Sequence, residues 1–113
     1  MGDLTGQLSG TGPQDEDLIW LQNWYLAQCD DEWEHEFGVS IGTLDNPGWR
    51  LKVDLRETSL QGLGRQFERL KTERSEHDWF HLWVDQDVFH GAGGPLNLVD
   101  LLRGFRTFAN GHD

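Results

Sequence analysis

Lysine and arginine are missing from the first 49 residues. That stretch carries ten acids: Asp3, Asp15, Glu16, Asp17, Asp30, Asp31, Glu32, Glu34, Glu36 and Asp45. The other 64 residues hold all nine basic residues against ten acids and are close to neutral. A net charge of −11 distributed in this way disfavours direct binding to nucleic acid or to an anionic membrane, since like charges would have to meet. It favours a basic protein partner, and a nuclease or another nucleic-acid-binding protein would be one. The plainer explanation is that acidic surfaces keep proteins soluble, and it accounts for the charge equally well.

Cysteine is nearly absent. Cys29 stands alone, so no intramolecular disulfide can form. Without a secretion signal at the start, this points to a reducing, cytoplasmic setting. No apolar run approaches the roughly 20 residues of a membrane span. The opening Met-Gly-Asp-Leu-Thr-Gly has Gly6 where a myristoylation signal needs Ser or Thr. Against these absences stand six Trp and six Phe, ample bulk for a core. A chain of 113 residues is expected to form one domain that buries roughly 65% of its unfolded surface.

The clearest pattern is period-two alternation on either side of a turn. Phe37, Val39, Ile41 and Thr43 alternate with small residues, and Trp49, Leu51, Val53 and Leu55 alternate with Arg50, Lys52, Asp54 and Arg56. Asp45-Asn46-Pro47-Gly48 between them predicts a type II turn with Gly48 at positive φ. Residues 1–14 are rich in Gly, Ser and Thr and are expected to be a disordered leader. A helix is expected from Asp15, whose Asp15-Glu16-Asp17 start suits the helix dipole, to about Cys29–Asp31. Its core stripe would be Leu18, Leu21 and Tyr25 flanked by Trp20, Trp24 and Ala27.

Beyond the hairpin, Glu57–Gly64 reads as loop and residues 66–74 as an exposed edge strand. Residues 78–85 read as a strand, with Phe80, Leu82 and Val84 on one face and Trp79, His81 and Trp83 on the other. Gly91-Ala92-Gly93-Gly94-Pro95 reads as a flexible turn, since it lacks the Lys and Ser/Thr of a phosphate loop. Asn97 is the expected N-cap of a last helix carrying Leu98, Leu101, Leu102, Phe105 and Phe108, with Gly111 just past its end. The fold class is therefore α+β: an N-terminal helix, an antiparallel meander sheet of about four strands, and a C-terminal helix packed on it. The domain spans residues 15–110, with 111–113 as a tail.

No catalytic signature is specific. Cys29, Glu34 and His35 are the residue types of a small metal- or thiol-dependent enzyme, but their spacing matches no zinc pattern. Trp79 and Trp83 on one strand face would suit a carbohydrate-binding module. Asp30, Asp31, Glu32, Glu34 and Glu36 around Trp33, within and just before a strand, make the better binding surface, with Trp33 as an anchor or else tucked into the core.

Three motifs occur in order: Trp20-Leu21-Gln22-Asn23-Trp24-Tyr25, Cys29-Asp30-Asp31-Glu32-Trp33-Glu34-His35, and Thr43-Leu44-Asp45-Asn46-Pro47-Gly48-Trp49. Together with Gly91–Pro95 and Asn97-Leu98, they resemble the immunity protein 53 family, bacterial proteins encoded beside polymorphic toxins. The resemblance covers roughly residues 18–109. It departs at Asp31, where glycine is expected after the Cys-Asp pair. The resemblance implies a non-enzymatic, cofactor-free antidote that binds and occludes a cognate toxin domain. The acidic corner would supply the contact.

Overall fold

The expected hairpin is present in the computed structural model, which describes residues 15–111. The leader assigned to residues 1–14, and residues 112 and 113 of the tail, lie outside the described residues. Strand β1 (Val39–Leu44) pairs antiparallel with β2 (Gly48–Asp54), Val39 opposite Val53 and Leu44 opposite Gly48. The loop is Asp45-Asn46-Pro47 alone. Gly48 belongs to β2 and does not take positive φ, so the type II assignment fails. Its glycine serves another purpose: a Cβ there would run into the Gly93 carbonyl of the neighbouring strand.

That neighbour is the element the sequence hid. Residues 88–93 form strand β5 (Val88–Gly93), and with β3 (Leu70–Ser75) and β4 (Asp78–Asp85) the sheet has five strands. Their order is β1-β2-β5-β4-β3, every pairing antiparallel. The arrangement is thus a β3-β4-β5 meander with the β1-β2 hairpin docked on it through β2, one strand more than expected. Of the flexible turn read at Gly91–Pro95, the first three residues are the second half of the central strand β5, and only Gly94 and Pro95 follow it. Gly91 is buried because the C-terminal helix lies directly on it; a Cβ there would sit 3.1 Å from a Leu101 methyl and 3.3 Å from a Leu82 methyl. Close approach, not flexibility, explains these glycines.

The amphipathic C-terminal helix, here α3 (Leu98–Asn110), forms as its spacing predicts, and Leu101, Leu102, Phe105, Phe108 and Ala109 are buried. They meet Leu51, Val53, Leu55, Leu82 and Phe89 from the sheet. Two details differ. Asn97 precedes the helix, but its side chain makes no cap bond. Gly111 keeps a right-handed φ of −67° and donates its N–H to the Thr107 carbonyl.

The first helix, α1 (Glu16–Gln28), packs beside α3, with Trp20 and Trp24 edge-on to Phe105 at 5.6 and 5.0 Å. Asp17 does more than complement a dipole. It is buried and holds Arg103 at 3.1 Å and Arg106 at 3.3 Å, tying the two helices together. Because α1 is drawn towards α3, the expected core stripe is only half used. Leu21 is buried, whereas Leu18, Tyr25 and Ala27 remain exposed. The edge strand expected over residues 66–74 is present as β3 but shifted and shorter: it begins only at Leu70, after a 3-10 turn at Leu63–Gln66, and runs to Ser75.

Candidate functional site

The acidic corner is a turn that folds on its own carboxylates. After α1 ends, Asp30 Oδ1 accepts the N–H groups of Glu32 (3.0 Å) and Trp33 (2.8 Å). Glu34 reaches back in return, its two oxygens accepting the N–H groups of Asp30 (3.0 Å) and Asp31 (2.9 Å). This reciprocal pattern satisfies the free donors at the start of a short helix, α2 (Trp33–Glu36), as a capping box does. The corner is therefore helical at Trp33–Glu36, where a strand was expected.

The carboxylates of Asp30 and Glu34 thus have a structural duty. The N–H groups of Trp33 and Glu32 hold the Asp30 carboxyl below its ordinary range. Glu34 is held down by its own N–H first, then by those of Asp30 and Asp31. Carboxyls with depressed folded values stabilise the fold above the unfolded carboxylate range near pH 4, and that contribution is lost as pH falls through the folded values. Thermal melts followed by circular dichroism between pH 5 and 2 are expected to show falling stability, with a shallower fall in Glu34→Gln.

Trp33 is 2% exposed. Its indole N–H donates to the Arg56 carbonyl at 3.0 Å, and its ring meets Trp24 and Tyr25 edge-on at 5.9 and 6.1 Å. It pins the corner to the segment after β2 and packs inward, so it is not an exposed anchor. Of the six residues singled out from the sequence, Asp31, Glu32 and Glu36 are left exposed with their carboxylates outside this turn network. Replacing Asp30 would therefore disturb the turn itself.

Asp31 stands where glycine was expected, and its backbone has the conformation that would suit glycine. Its φ is +72°, the left-handed region that glycine adopts without strain. An ordinary L-residue there costs roughly 1–2 kcal/mol, aspartate less. Asp31→Gly is expected to raise stability by up to about 1 kcal/mol, and Asp31→Val to lower it by roughly 1–2 kcal/mol, both read from urea unfolding.

Two members of the alternative enzyme constellation have local partners. The Cys29 thiol donates to the Tyr25 carbonyl at 3.3 Å, and Glu34 is engaged as above. Among the described residues no three His, Cys, Asp or Glu side chains gather as a metal site would need. Trp79 and Trp83 do share the helix-free sheet face, but the Trp83 ring stacks on His90 (5.1 Å, 7°) and carries Arg69 at 4.6 Å. With β5 on one side of β4 and β3 on the other, those neighbours occupy the ring faces a sugar would need.

That open face is what the sequence reading missed. By register, Arg50 and Lys52 of β2, His90 of β5, His81 of β4 and Lys71 of β3 project there together. Burial first, then Lys52, pushes His90 below the ordinary histidine value. The alternation of Arg50 and Lys52 signalled half of this cluster, but without β5 its neighbours could not be placed. The same register puts Asp54, Asp85 and Glu73 on this face, so it is mixed in charge, whereas the side built by residues 15–49 carries carboxylates without lysine or arginine.

Among the described residues, no helix is long and apolar enough to cross a membrane. No curated protein and no solved structure matches the chain. By contrast, the sequence model of immunity protein 53 matches residues 18–110, which include all but the first two residues of α1, the corner, all five strands and α3. The chain belongs to the immunity protein 53 family, and its role is that of an immunity protein.

Proposed function

We propose that this chain neutralises a cognate toxin domain by stoichiometric occlusion, with the acidic side formed by α1, the corner and β1 laid against a basic face of the toxin. Family membership supports the immunity role. The observation that carries the choice of surface is the segregation of charge. The described part of residues 15–49 exposes Asp31, Glu32, Glu36 and Asp45 and contains no lysine or arginine. Such a surface attracts a cationic cleft from a distance and speeds association, and it repels anionic competitors. A nuclease is the class of toxin whose working cleft is basic. The immunity protein acts by covering that cleft, so no catalytic group and no cofactor is needed.

The test is a neutralisation titration. The toxin domain encoded beside this chain is held at fixed concentration, its activity assayed, and the immunity protein added. Activity is expected to fall linearly and vanish at one equivalent. Residual activity at several equivalents, with the two proteins bound, would argue against occlusion.

A further inference from the structure

The two edges of the sheet are treated differently. Edge strand β3 reads Leu-Lys-Thr-Glu-Arg-Ser, with Lys71, Glu73 and Arg74 along it and a register irregularity between Glu73 and Ser75. Charges and irregular pairing are how proteins keep an edge from acquiring another strand. Edge strand β1 reads Val-Ser-Ile-Gly-Thr-Leu, regular through all six pairs with β2 and without a charge or a proline. Nothing defends it.

Beside β1 lies an apolar groove of about 350 Å³, walled by Leu18, Leu21 and Tyr25 of α1 and by Phe37, Val39 and Ile41, with Glu34 among its lining residues. It exists because α1 leans towards α3 and leaves its outer shoulder uncovered. Leu18, Tyr25 and Ile41 are 44%, 39% and 42% exposed. An unprotected strand edge beside an apolar groove is the arrangement that takes an added strand. Backbone bonds there supply affinity, and a side-chain pocket supplies choice.

We infer that β1 is the docking edge for an extended segment of the basic partner, which adds as a sixth strand, seats an apolar side chain in the α1–β1 groove and turns its lysines or arginines towards the corner. The inference rests on the neutralisation reading above and deepens it. Charge selects this occupant over a second copy of the chain. A symmetric β1–β1 pairing would bring together two surfaces drawn from residues 15–49, which hold acids and no lysine or arginine. Arg56, which lies over the Phe37 ring, is engaged by Asp54 at 2.6 and 2.9 Å and does not relieve that repulsion.

Calorimetry against the toxin domain encoded beside this chain tests it, with light scattering on the free protein. Ile41→Lys charges the edge and Leu18→Lys charges the opposite groove wall, so two elements report independently. Leu70→Lys on β3 is the control, and thermal melts verify folding of all three. Wild type and Leu70→Lys are expected to bind alike, and each groove variant to bind roughly tenfold or more weakly. Folded groove variants that bind like wild type would overturn the docking edge while leaving the neutralisation reading in place. A wild-type chain that does not bind would overturn both. A free dimer that Ile41→Lys dissociates would assign the edge to a second copy and overturn the proposal.

Discussion

Phe105→Ala is expected to lower stability by about 3–5 kcal/mol, the largest loss from any single truncation in this core. Phe105 is fully buried and is the side chain on which both helices and the sheet converge. Its ring meets Trp20 at 5.6 Å and Trp24 at 5.0 Å from α1, Phe89 at 5.2 Å from β5, and Phe108 at 6.4 Å one turn along α3. Removing it takes away the transfer energy of the ring and leaves a cavity that three separate elements would have to close. Rigid strands on one side and the Asp17–Arg103/Arg106 link on the other prevent easy collapse. For a domain of this size, the melting midpoint should fall by roughly 15 °C or more. A fall of only a few degrees would mean that α1 is not held through this ring.

The second large effect is expected from Asn97→Asp, a change of nearly identical shape. Asn97 is 2% exposed and fully used. Its Oδ1 accepts the Trp79 N–H at 3.2 Å, and its Nδ2 donates to Asp78 at 3.0 Å and to Asp100 at 2.7 Å. Aspartate would keep the first bond and turn the other two into carboxylate–carboxylate contacts. The expected cost at neutral pH is about 2–4 kcal/mol, tempered by Arg74, which already bonds Asp78 at 2.8 and 2.9 Å. The sign of the pH dependence separates this from a packing defect. Like-charge crowding raises the new carboxyl above its unfolded value, so the deficit is full above that raised value and shrinks as pH falls through it. In the wild type the trend runs the other way. The Arg74 guanidinium and then Asn97 hold Asp78 down to about 2, so its contribution is present above about pH 4 and is lost towards pH 2. Urea unfolding of both proteins at pH 7 and pH 4.5 should show the gap between them narrowing in acid.

Elements whose local chemistry agrees with their tertiary role were legible from sequence. The alternation of β2 and the 3.6-residue stripe of α3 are solvent-facing on one side and buried on the other, which is what periodicity detects. Strand β5 was not legible, for two physical reasons. Its hairpin with β4 turns on Gln86 and Asp87, at φ +50° and +60°, without the Asn-Gly or Asp-Gly that usually marks such a turn. Its Gly91 and Gly93 are there because helix and strands press on them, a tertiary demand that looks like a loop in one dimension.

The corner shows the same division. Its acidity and its place in the family pattern could be read from the chain. Which carboxylates are spent on the turn could not, since Asp30 and Asp31 differ only in backbone geometry. Asp30 accepts two N–H groups, whereas Asp31 sits at positive φ with its carboxylate outside the turn network. Trp33 was drawn inward by a partner 23 residues away, the Arg56 carbonyl, which no local pattern announces.

The central claim is that an anionic surface on the N-terminal half meets a cationic toxin. Salt tests it most directly. The affinity of this chain for the toxin domain encoded beside it should be measured by calorimetry at about 50 mM and about 500 mM salt, for wild type and for the triple variant Asp31→Asn, Glu32→Gln, Glu36→Gln. Screening shortens the Debye length severalfold over that range, so wild-type binding is expected to be tight at low salt and clearly weaker at high salt, with the triple variant losing most of that dependence. Tight one-to-one binding with the same affinity at both salts would contradict the account and move the interface off the acidic side.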